Sequence, residues 1–112
     1  MRNIKLLTIA SAALVAGSLC ARAADATENW TKLCASCHGK DGKAQTKAGK
    51  MAETKDLTDA TYQASFTDDQ AEKQIKEGLK DKSGKDRMKP FAGKLTDDEI
   101  KALVAHARSF KK

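Results

Sequence analysis

The chain has 112 residues, with 21 lysines and arginines against 15 aspartates and glutamates, and it contains three cysteines. This length allows one small domain and excludes a two-domain enzyme. No apolar stretch reaches the roughly 18 residues that a membrane-spanning helix needs, which excludes a permanent membrane span.

The first 23 residues have the pattern of a cleaved signal peptide. Arg2 and Lys5 make the start basic, residues 6–19 are uncharged and mainly apolar, and Ala21-Arg22-Ala23 is a small-residue cleavage motif. The apolar run, at about 14 residues, is too short for the alternative of a membrane anchor. We therefore expect export to the periplasm and a mature domain of residues 24–112, with a net charge of +3 and two cysteines.

Residues 24–112 are poor in the side chains that build a hydrophobic core. Leucine, isoleucine, valine and phenylalanine account for only 11 of these 89 residues. So low a content is typical of disordered chains, yet the helix signals are strong, and we expect a bound group to supply the missing apolar volume. Because only three of these 11 apolar residues are β-branched, we expect an all-α fold without a sheet.

Three helices are predicted in chain order. The first spans roughly residues 27–37, and its predicted apolar face consists of Trp30, Leu33, Cys34 and Cys37. The second begins at Thr67 and the third at Thr96, since each threonine opens a capping box. We expect the remaining segments to be irregular: loops over residues 39–55 and 80–94, and a short turn near residues 57–59.

Cys34-Ala35-Ser36-Cys37-His38 is a C-x-x-C-H sequence, the attachment motif of c-type haem. Two thiols one helical turn apart can form thioethers with the two vinyl groups of one haem, and the adjacent His38 is then placed as the proximal iron ligand. Two alternatives have less support. A thioredoxin-like thiol pair requires a βαβ unit, which this composition does not favour. A structural zinc site requires four ligands, and His38 follows Cys37 too directly to serve beside it.

The second axial position of the iron has three candidates, Met51, Met88 and His106. Met88 is favoured because it lies 50 residues after His38, far enough to reach the other face of the haem, and because Pro90 restricts the turn. We expect Met51 to fill a gap in the core and His106 to be a partly packed helical residue. Histidine and methionine together close both axial positions, which suits one-electron transfer and not enzymatic catalysis.

With these motifs, residues 27–110 resemble the small bacterial class I monohaem c-type cytochromes, such as cytochromes c5, c6 and c553. The resemblance rests on the block from Cys34 to Gly42 and on Met88-Lys89-Pro90-Phe91 with the block from Gly93 to Ile100. It implies a class I cytochrome c fold, with about three main helices around one covalently bound haem c and the first and last helices crossing near their ends. It also implies a soluble carrier of single electrons, which we expect to be a monomer.

The sequence departs from this family in the support of the ligating histidine. Many members have a proline about a dozen residues later, whose carbonyl accepts the histidine Nδ1–H, but no proline lies between His38 and Pro90. We expect a backbone carbonyl of residues 45–55 to take this role. Arg87 is expected near the haem propionates together with Tyr62. The expected haem contacts are Trp30, Leu33, Leu57, Tyr62, Phe91 and Leu103.

Residues 73–94 carry eight bases and three acids, a net charge of +5, and they surround Met88. They form either a solvated loop or a docking surface for an acidic redox partner. Nucleic acid is not expected as a partner of an exported chain. Two other functions stay open, a haem c subunit of a larger oxidoreductase complex and an open-site haem sensor or peroxidase-like protein. The sequence does not specify the electron donor, the acceptor or the midpoint potential.

Overall fold

In the computed structural model the described part of the protein is residues 25–112, so the predicted signal peptide lies outside the described residues. The first helix, α1, has three consecutive parts: Ala26–Asn29, the π-helical turn Trp30–Cys34, and Ala35–His38. The elements that follow in chain order are α2 (Lys47–Met51), α3 (Ala60–Ala64), α4 (Asp68–Glu77), β1 (Leu79–Lys80), β2 (Asp86–Met88) and α5 (Asp97–Ser109). Within residues 25–112, no helix is long and apolar enough to cross a membrane. The fold is mainly helical, as expected.

The first helix, α1, begins where the Asp25 carboxylate accepts a hydrogen bond from the Thr27 amide at 3.2 Å. Its middle is a π-helical turn, which contains more residues per turn than an α-helix. Trp30 and Cys34 are buried, whereas Leu33 is 38% exposed. The prediction that Leu33 belongs to the buried face is therefore wrong, because the π turn rotates it out of the α-helical register.

The two predicted capping boxes are confirmed at the starts of α4 and α5. Thr67 and Gln70 exchange hydrogen bonds between side chain and backbone at 2.9 and 3.1 Å. Thr96 and Glu99 do the same at 3.0 and 3.1 Å. Each pair satisfies two backbone amides that the first helical turn leaves free, so the sequence fixes these two starting points locally. The buried residues of α5 are Ile100, Leu103 and Val104.

The first and last helices, α1 and α5, pack against one another. The Asn29 side-chain amide donates to the Glu99 carboxylate at 3.1 Å, and the Trp30 ring centroid lies 5.1 Å from that of Phe110. The His106 ring lies 5.2 Å from Trp30, so His106 is a partly packed helical residue, as expected. The buried cluster beside this contact consists of Trp30, Cys34, Leu57 and Leu103.

Arg108 of α5 joins the last helix to the corner between α3 and α4. Its guanidinium donates to the Asp68 carboxylate at 2.8 Å, to the Phe66 carbonyl at 2.7 Å, and to both the backbone and the side-chain oxygen of Gln63. Gln63 is itself buried, and its amide donates to the Leu57 carbonyl at 2.7 Å. This network fixes the corner against α5.

Two short helices replace the irregular structure predicted between α1 and α4. α2 lies within the predicted 39–55 loop, and α3 follows the predicted turn. The Thr46 hydroxyl caps α2 and the Asp59 carboxylate caps α3, so each is fixed by one local hydrogen-bond acceptor at its start. Single turns of helix have no apolar periodicity, which is why the sequence pattern did not indicate them.

The expectation of no sheet is wrong, because β1 and β2 pair as an antiparallel hairpin with Leu79 opposite Met88. The Asp81 carboxylate accepts hydrogen bonds from the amides of Ser83 and Lys85 at 2.9 and 3.0 Å. These bonds close the tip of the hairpin. Turn chemistry, and not the β propensity of the strand residues, therefore accounts for this element.

Candidate haem site

A single cavity of about 250 Å³ brings together three of the four predicted site residues. Cys34 and His38 line it from α1, and Met88 lines it from β2. Cys37, the fourth residue, is half-buried and does not belong to the lining. The apolar part of the wall comes from Trp30, Leu57, Phe66, Ile75, Leu103 and Val104.

His38 lies at the end of α1, with its ring centroid 5.3 Å from that of Trp30. The Trp30 indole N–H also donates to the Gly39 carbonyl at 2.9 Å, so one side chain supports both the ring and the backbone beside it. Burial lowers the pKa of His38, which favours the neutral imidazole. Its Nδ1 is buried without a hydrogen-bond partner among the described residues. A neutral imidazole of this kind is the form that binds metal ions.

The predicted acceptor for the His38 Nδ1–H, a backbone carbonyl of residues 45–55, is wrong. Part of this segment folds into α2 and its closing turn, and four of its carbonyls accept hydrogen bonds from amides of the same segment. The carbonyls used in this way are those of Thr46, Ala48, Gly49 and Lys50. The other carbonyls of the segment do not take this role either, because the His38 Nδ1 has no hydrogen-bond partner in the described structure.

The backbone around His38 is held by the segment that follows it. Carbonyls at a helix C-terminus have no partner within the helix and need donors from elsewhere. The Thr46 hydroxyl donates to the Cys37 carbonyl at 3.0 Å, and the Ala44 amide donates to the His38 carbonyl at 2.8 Å. The same hydroxyl accepts from the Gly49 amide at 2.9 Å. The residue that caps α2 therefore also fixes the end of α1.

Gly49 permits the close approach of α2 to the end of α1. A Cβ atom at this position would lie less than 3.0 Å from the Cys37 carbonyl oxygen and 2.8 Å from the Thr46 hydroxyl. Gly49 has an ordinary helical backbone, so contact distance is the reason for glycine here, and not backbone conformation. Because glycine has no side chain, the Cys37-His38 backbone packs directly against α2.

The Cys34 thiol is buried, and burial raises its pKa to about 11. Redox-active cysteines have a lowered pKa, because the thiolate is the reactive form. The described residues also contain no βαβ unit. Across residues 25–112, no three histidine, cysteine, aspartate or glutamate side chains are grouped so that they could hold a metal ion. Both the thiol-exchange and the zinc alternatives therefore lose support.

Met88 ends β2 beside the end of α4. The side-chain amide of Gln74 on α4 donates to the Met88 sulfur at 3.8 Å. Gly78, which follows α4 with a φ of 74°, allows the strand to return against the helix end. A Cβ at Gly78 would lie 2.9 Å from the Pro90 nitrogen and closer still to the Met88 carbonyl oxygen. These contacts hold the Met88 backbone against α4.

The other two candidates for the axial position lie outside the cavity lining. Met51 is 78% exposed at the end of α2, so the prediction that it fills a gap in the core is wrong. α2 is a single-turn helix that packs through Gly49, so side chains on its opposite side are exposed to solvent. His106 contacts the rings of Trp30 and Phe110 and does not line the cavity. Met88 is thus the only one of the three that lines this cavity.

The expected haem contacts divide into two groups. Trp30, Leu57, Tyr62 and Leu103 line the cavity, whereas Leu33 and Phe91 do not. Arg87, expected near the propionates, forms an ion pair with Glu53. The lining also includes three residues at the α3–α4 corner that the sequence pattern did not indicate: Ser65, Phe66 and Gln70. The one available signal was the spacing of Gln70 and Gln74, which places both on one face of α4.

The cavity fits a covalently bound haem on three observations. Its wall is largely apolar, it contains a neutral imidazole with an unpartnered buried nitrogen, and a buried thiol lies one helical turn before that imidazole. A thioether sulfur completes the donor set on another element. This combination of nitrogen and sulfur donors is one that haem iron accepts.

Comparison with known proteins agrees with this site. Residues 21–106 match the protein family described as cytochrome c oxidase, cbb3-type, subunit III. The solved structure of the KustC0563 c-type cytochrome is similar, with a TM-score of 0.68 and 37% sequence identity over 79% of this chain and 99% of that one. The structure of a tyrosine-to-phenylalanine mutant of Kustc0563 gives a TM-score of 0.66 and 37% identity, over 78% and 99% of the two chains. No curated protein sequence matches the chain.

Proposed function

Because this chain belongs to the c-type cytochrome family described as cytochrome c oxidase, cbb3-type, subunit III, we propose that it is a periplasmic carrier of single electrons with one haem c. Membership of the family implies covalently bound haem and haem-based electron transfer. The finer proposal is a soluble monomer that diffuses between redox proteins and is not itself an enzyme.

The observation that carries this proposal is the cavity shared by Cys34, His38 and Met88. We assign the thioether bonds to Cys34 and Cys37, and the two axial iron positions to His38 and Met88. The bound group supplies an iron that gains and loses one electron. The end of α1 would orient the His38 imidazole, the apolar side chains of the cavity would exclude water, and Met88 would offer a soft thioether as the second ligand.

Export is proposed from the sequence alone. Arg2, Lys5, the apolar run and Ala21-Arg22-Ala23 predict cleavage before Ala24, which would place the domain in the periplasm. The intact mass of the protein purified from its natural compartment tests this. A mass that begins at Ala24 and includes one haem supports the proposal, and a chain that retains residues 1–23 contradicts it.

The basic residues of 73–94 are proposed to dock an acidic redox partner. Three of the eight bases are already ion-paired: Lys76 with Asp97 at 3.0 Å, Lys80 with Asp86 at 3.2 Å, and Arg87 with Glu53. The other five have no ion pair within the described part of the chain and are exposed: Lys73, Lys82, Lys85, Lys89 and Lys94. Exposed positive charges beside the Met88 strand would attract an acidic protein and accelerate encounter.

A second function has one specific observation in its favour, which is the description of the matched family as an oxidase subunit. Under this alternative the same haem would pass electrons within a larger complex. Size-exclusion chromatography of a mild extract distinguishes the two. A carrier elutes at the size of the single domain, whereas a subunit elutes with the larger oxidoreductase.

The carrier proposal is tested by an equilibrium redox titration of the holoprotein and by its reduction by an acidic flavin redox protein. We expect a reversible one-electron curve and a reduction rate that falls as ionic strength rises. Lys82→Glu should slow reduction at low salt, while Lys101→Glu on α5, which is also exposed and makes the same change of charge, serves as the matched control. A titration that is not reversible contradicts the carrier proposal. A reduction rate that neither salt nor Lys82→Glu changes contradicts the docking proposal.

A further inference from the structure

We propose that the Arg87–Glu53 ion pair holds the Met88 strand against the haem-attachment side of the cavity and thereby keeps foreign ligands from the second axial position. This inference rests on the proposed function, since it takes His38 and Met88 as the two axial ligands. Arg87 and Glu53 are therefore positioning residues, which act through Met88.

Glu53 belongs to the side of the cavity that carries His38. It follows α2, and its amide donates to the Lys50 carbonyl at 3.2 Å in the turn that closes that helix. α2 in turn is joined to the Cys37 carbonyl through the Thr46 hydroxyl. Glu53 has a φ of 55°, which is costly for a residue other than glycine. The chain thus accepts a strained backbone at the residue that forms this ion pair.

Arg87 belongs to the side that carries the sixth ligand, and it directly precedes Met88 in β2. The hairpin segment is bound mainly to α4: the Phe91 amide donates to the Ile75 carbonyl at 2.9 Å, and Gln74 donates to the Met88 sulfur. None of these bonds reaches the His38 side. Between residues 44–56 and 79–94, the Arg87–Glu53 pair is the only hydrogen bond or ion pair that the described structure contains.

The hold of Met88 on the second axial position therefore depends on one exposed ion pair. The two side chains are 35% and 71% exposed, so their attraction is partly screened by water and further weakened by salt. If the pair is lost, the hairpin stays attached to α4 but no longer to the segment that positions His38. Met88 then leaves the iron more often, and a small neutral ligand such as imidazole gains access.

The test measures imidazole binding to the ferric holoprotein at low and high ionic strength. Glu53→Gln should bind imidazole about two- to fivefold more tightly than wild type at low salt, which is the range that an exposed ion pair supplies. In wild type the affinity should rise with salt, and in the variant it should not. Asp86→Asn is the matched control, because it removes an ion pair within the same hairpin that does not reach the His38 side.

One further variant and an unfolding measurement distinguish a positioning role of the ion pair from a purely structural one. Exchange of the charges, Glu53→Arg with Arg87→Glu, should restore the wild-type affinity and its salt dependence. Unfolding in urea shows whether each variant is folded. If loss of the ion pair lowers stability but leaves imidazole affinity unchanged, the pair is merely structural and the inference is overturned. Equal effects of Asp86→Asn and Glu53→Gln also overturn it.

Met88→Ala separates this inference from the proposed function. If that variant binds imidazole no better than wild type, Met88 is not the ligand, and the axial assignment itself fails. If Met88→Ala binds imidazole far more tightly while Glu53→Gln equals wild type, the axial assignment stands and only the role of the ion pair is refuted.

Discussion

Gly49→Ala tests whether the attachment segment is positioned by close contact with α2. In the interior of an exposed helix this change normally stabilises a protein by about 1 kcal/mol, because alanine has the higher helix propensity. Here the added Cβ would lie less than 3.0 Å from the Cys37 carbonyl oxygen and 3.0 Å from the Ala44 carbonyl oxygen. These are backbone atoms, so relief requires that α2 and the end of α1 separate.

The expected cost has two parts. Overpacking of a well-packed contact costs about 1–3 kcal/mol, and loss of the bond from the Thr46 hydroxyl to the Cys37 carbonyl adds about 1 kcal/mol. Together they exceed the gain in propensity, so we expect a net destabilisation of about 1–3 kcal/mol. For a domain of this size each kcal/mol lowers Tm by about 4–8 °C. The same displacement should change the haem absorption spectrum, because His38 follows Cys37 directly.

Thermal unfolding of the holoprotein, followed by far-ultraviolet circular dichroism and by haem absorbance, measures both effects. Ala48→Gly is the matched control, since it changes an exposed neighbour in the same helix. It should lose about 0.5–1 kcal/mol through propensity alone and leave the haem spectrum unchanged. A Gly49→Ala protein as stable as wild type, or more stable, would refute the argument from close contact.

Two other substitutions address the support of the fold. Arg108→Ala should destabilise the protein by about 3 kcal/mol in urea unfolding, because it leaves the buried Gln63 without its charged partner, and Arg108→Lys should recover only part of this loss. Equal stability of the lysine variant and wild type would contradict this. Glu99→Gln should alter the acid limb of stability: hydrogen bonds from the Thr96 amide and from Asn29 hold the pKa of Glu99 below its ordinary value of 4.5. A lowered pKa in the folded state stabilises it above pH 4.5, and this contribution is lost as pH falls through the lowered pKa. In unfolding measured over a series of acidic pH values, Glu99→Gln should lack this part of the pH dependence. An identical pH dependence of stability in the variant and wild type would refute this prediction.

The sequence predicted well those features that are encoded locally. The starts of α4 and α5 follow from Thr67 and Thr96, since a capping box needs only four consecutive residues. The position of His38 beside Cys34 follows from helical spacing. The family resemblance supplied the expectation that the first and last helices cross, whereas the distance from His38 and the nearby Pro90 favoured Met88.

The features that the sequence did not predict depend on contacts between distant segments or on local irregularity. The exposure of Leu33 results from a π turn, which leaves no distinct pattern in the residues. The hairpin that ends in Met88 is closed by turn chemistry at Asp81 and not by strand propensity. The pairing of Arg87 with Glu53 joins residues 34 positions apart, and no spacing rule connects them.

The most direct test of the haem site is the visible spectrum of the reduced holoprotein before and after addition of carbon monoxide, in wild type and in Met88→Ala. We predict a haem c spectrum that carbon monoxide leaves unchanged in wild type, because the proposed ligands His38 and Met88 would fill both axial positions, and ready binding in the variant. Ready binding of carbon monoxide by wild type would contradict the closed site and favour the open-site alternative of a sensor or peroxidase-like protein. A purified protein without a haem band would contradict the cofactor itself.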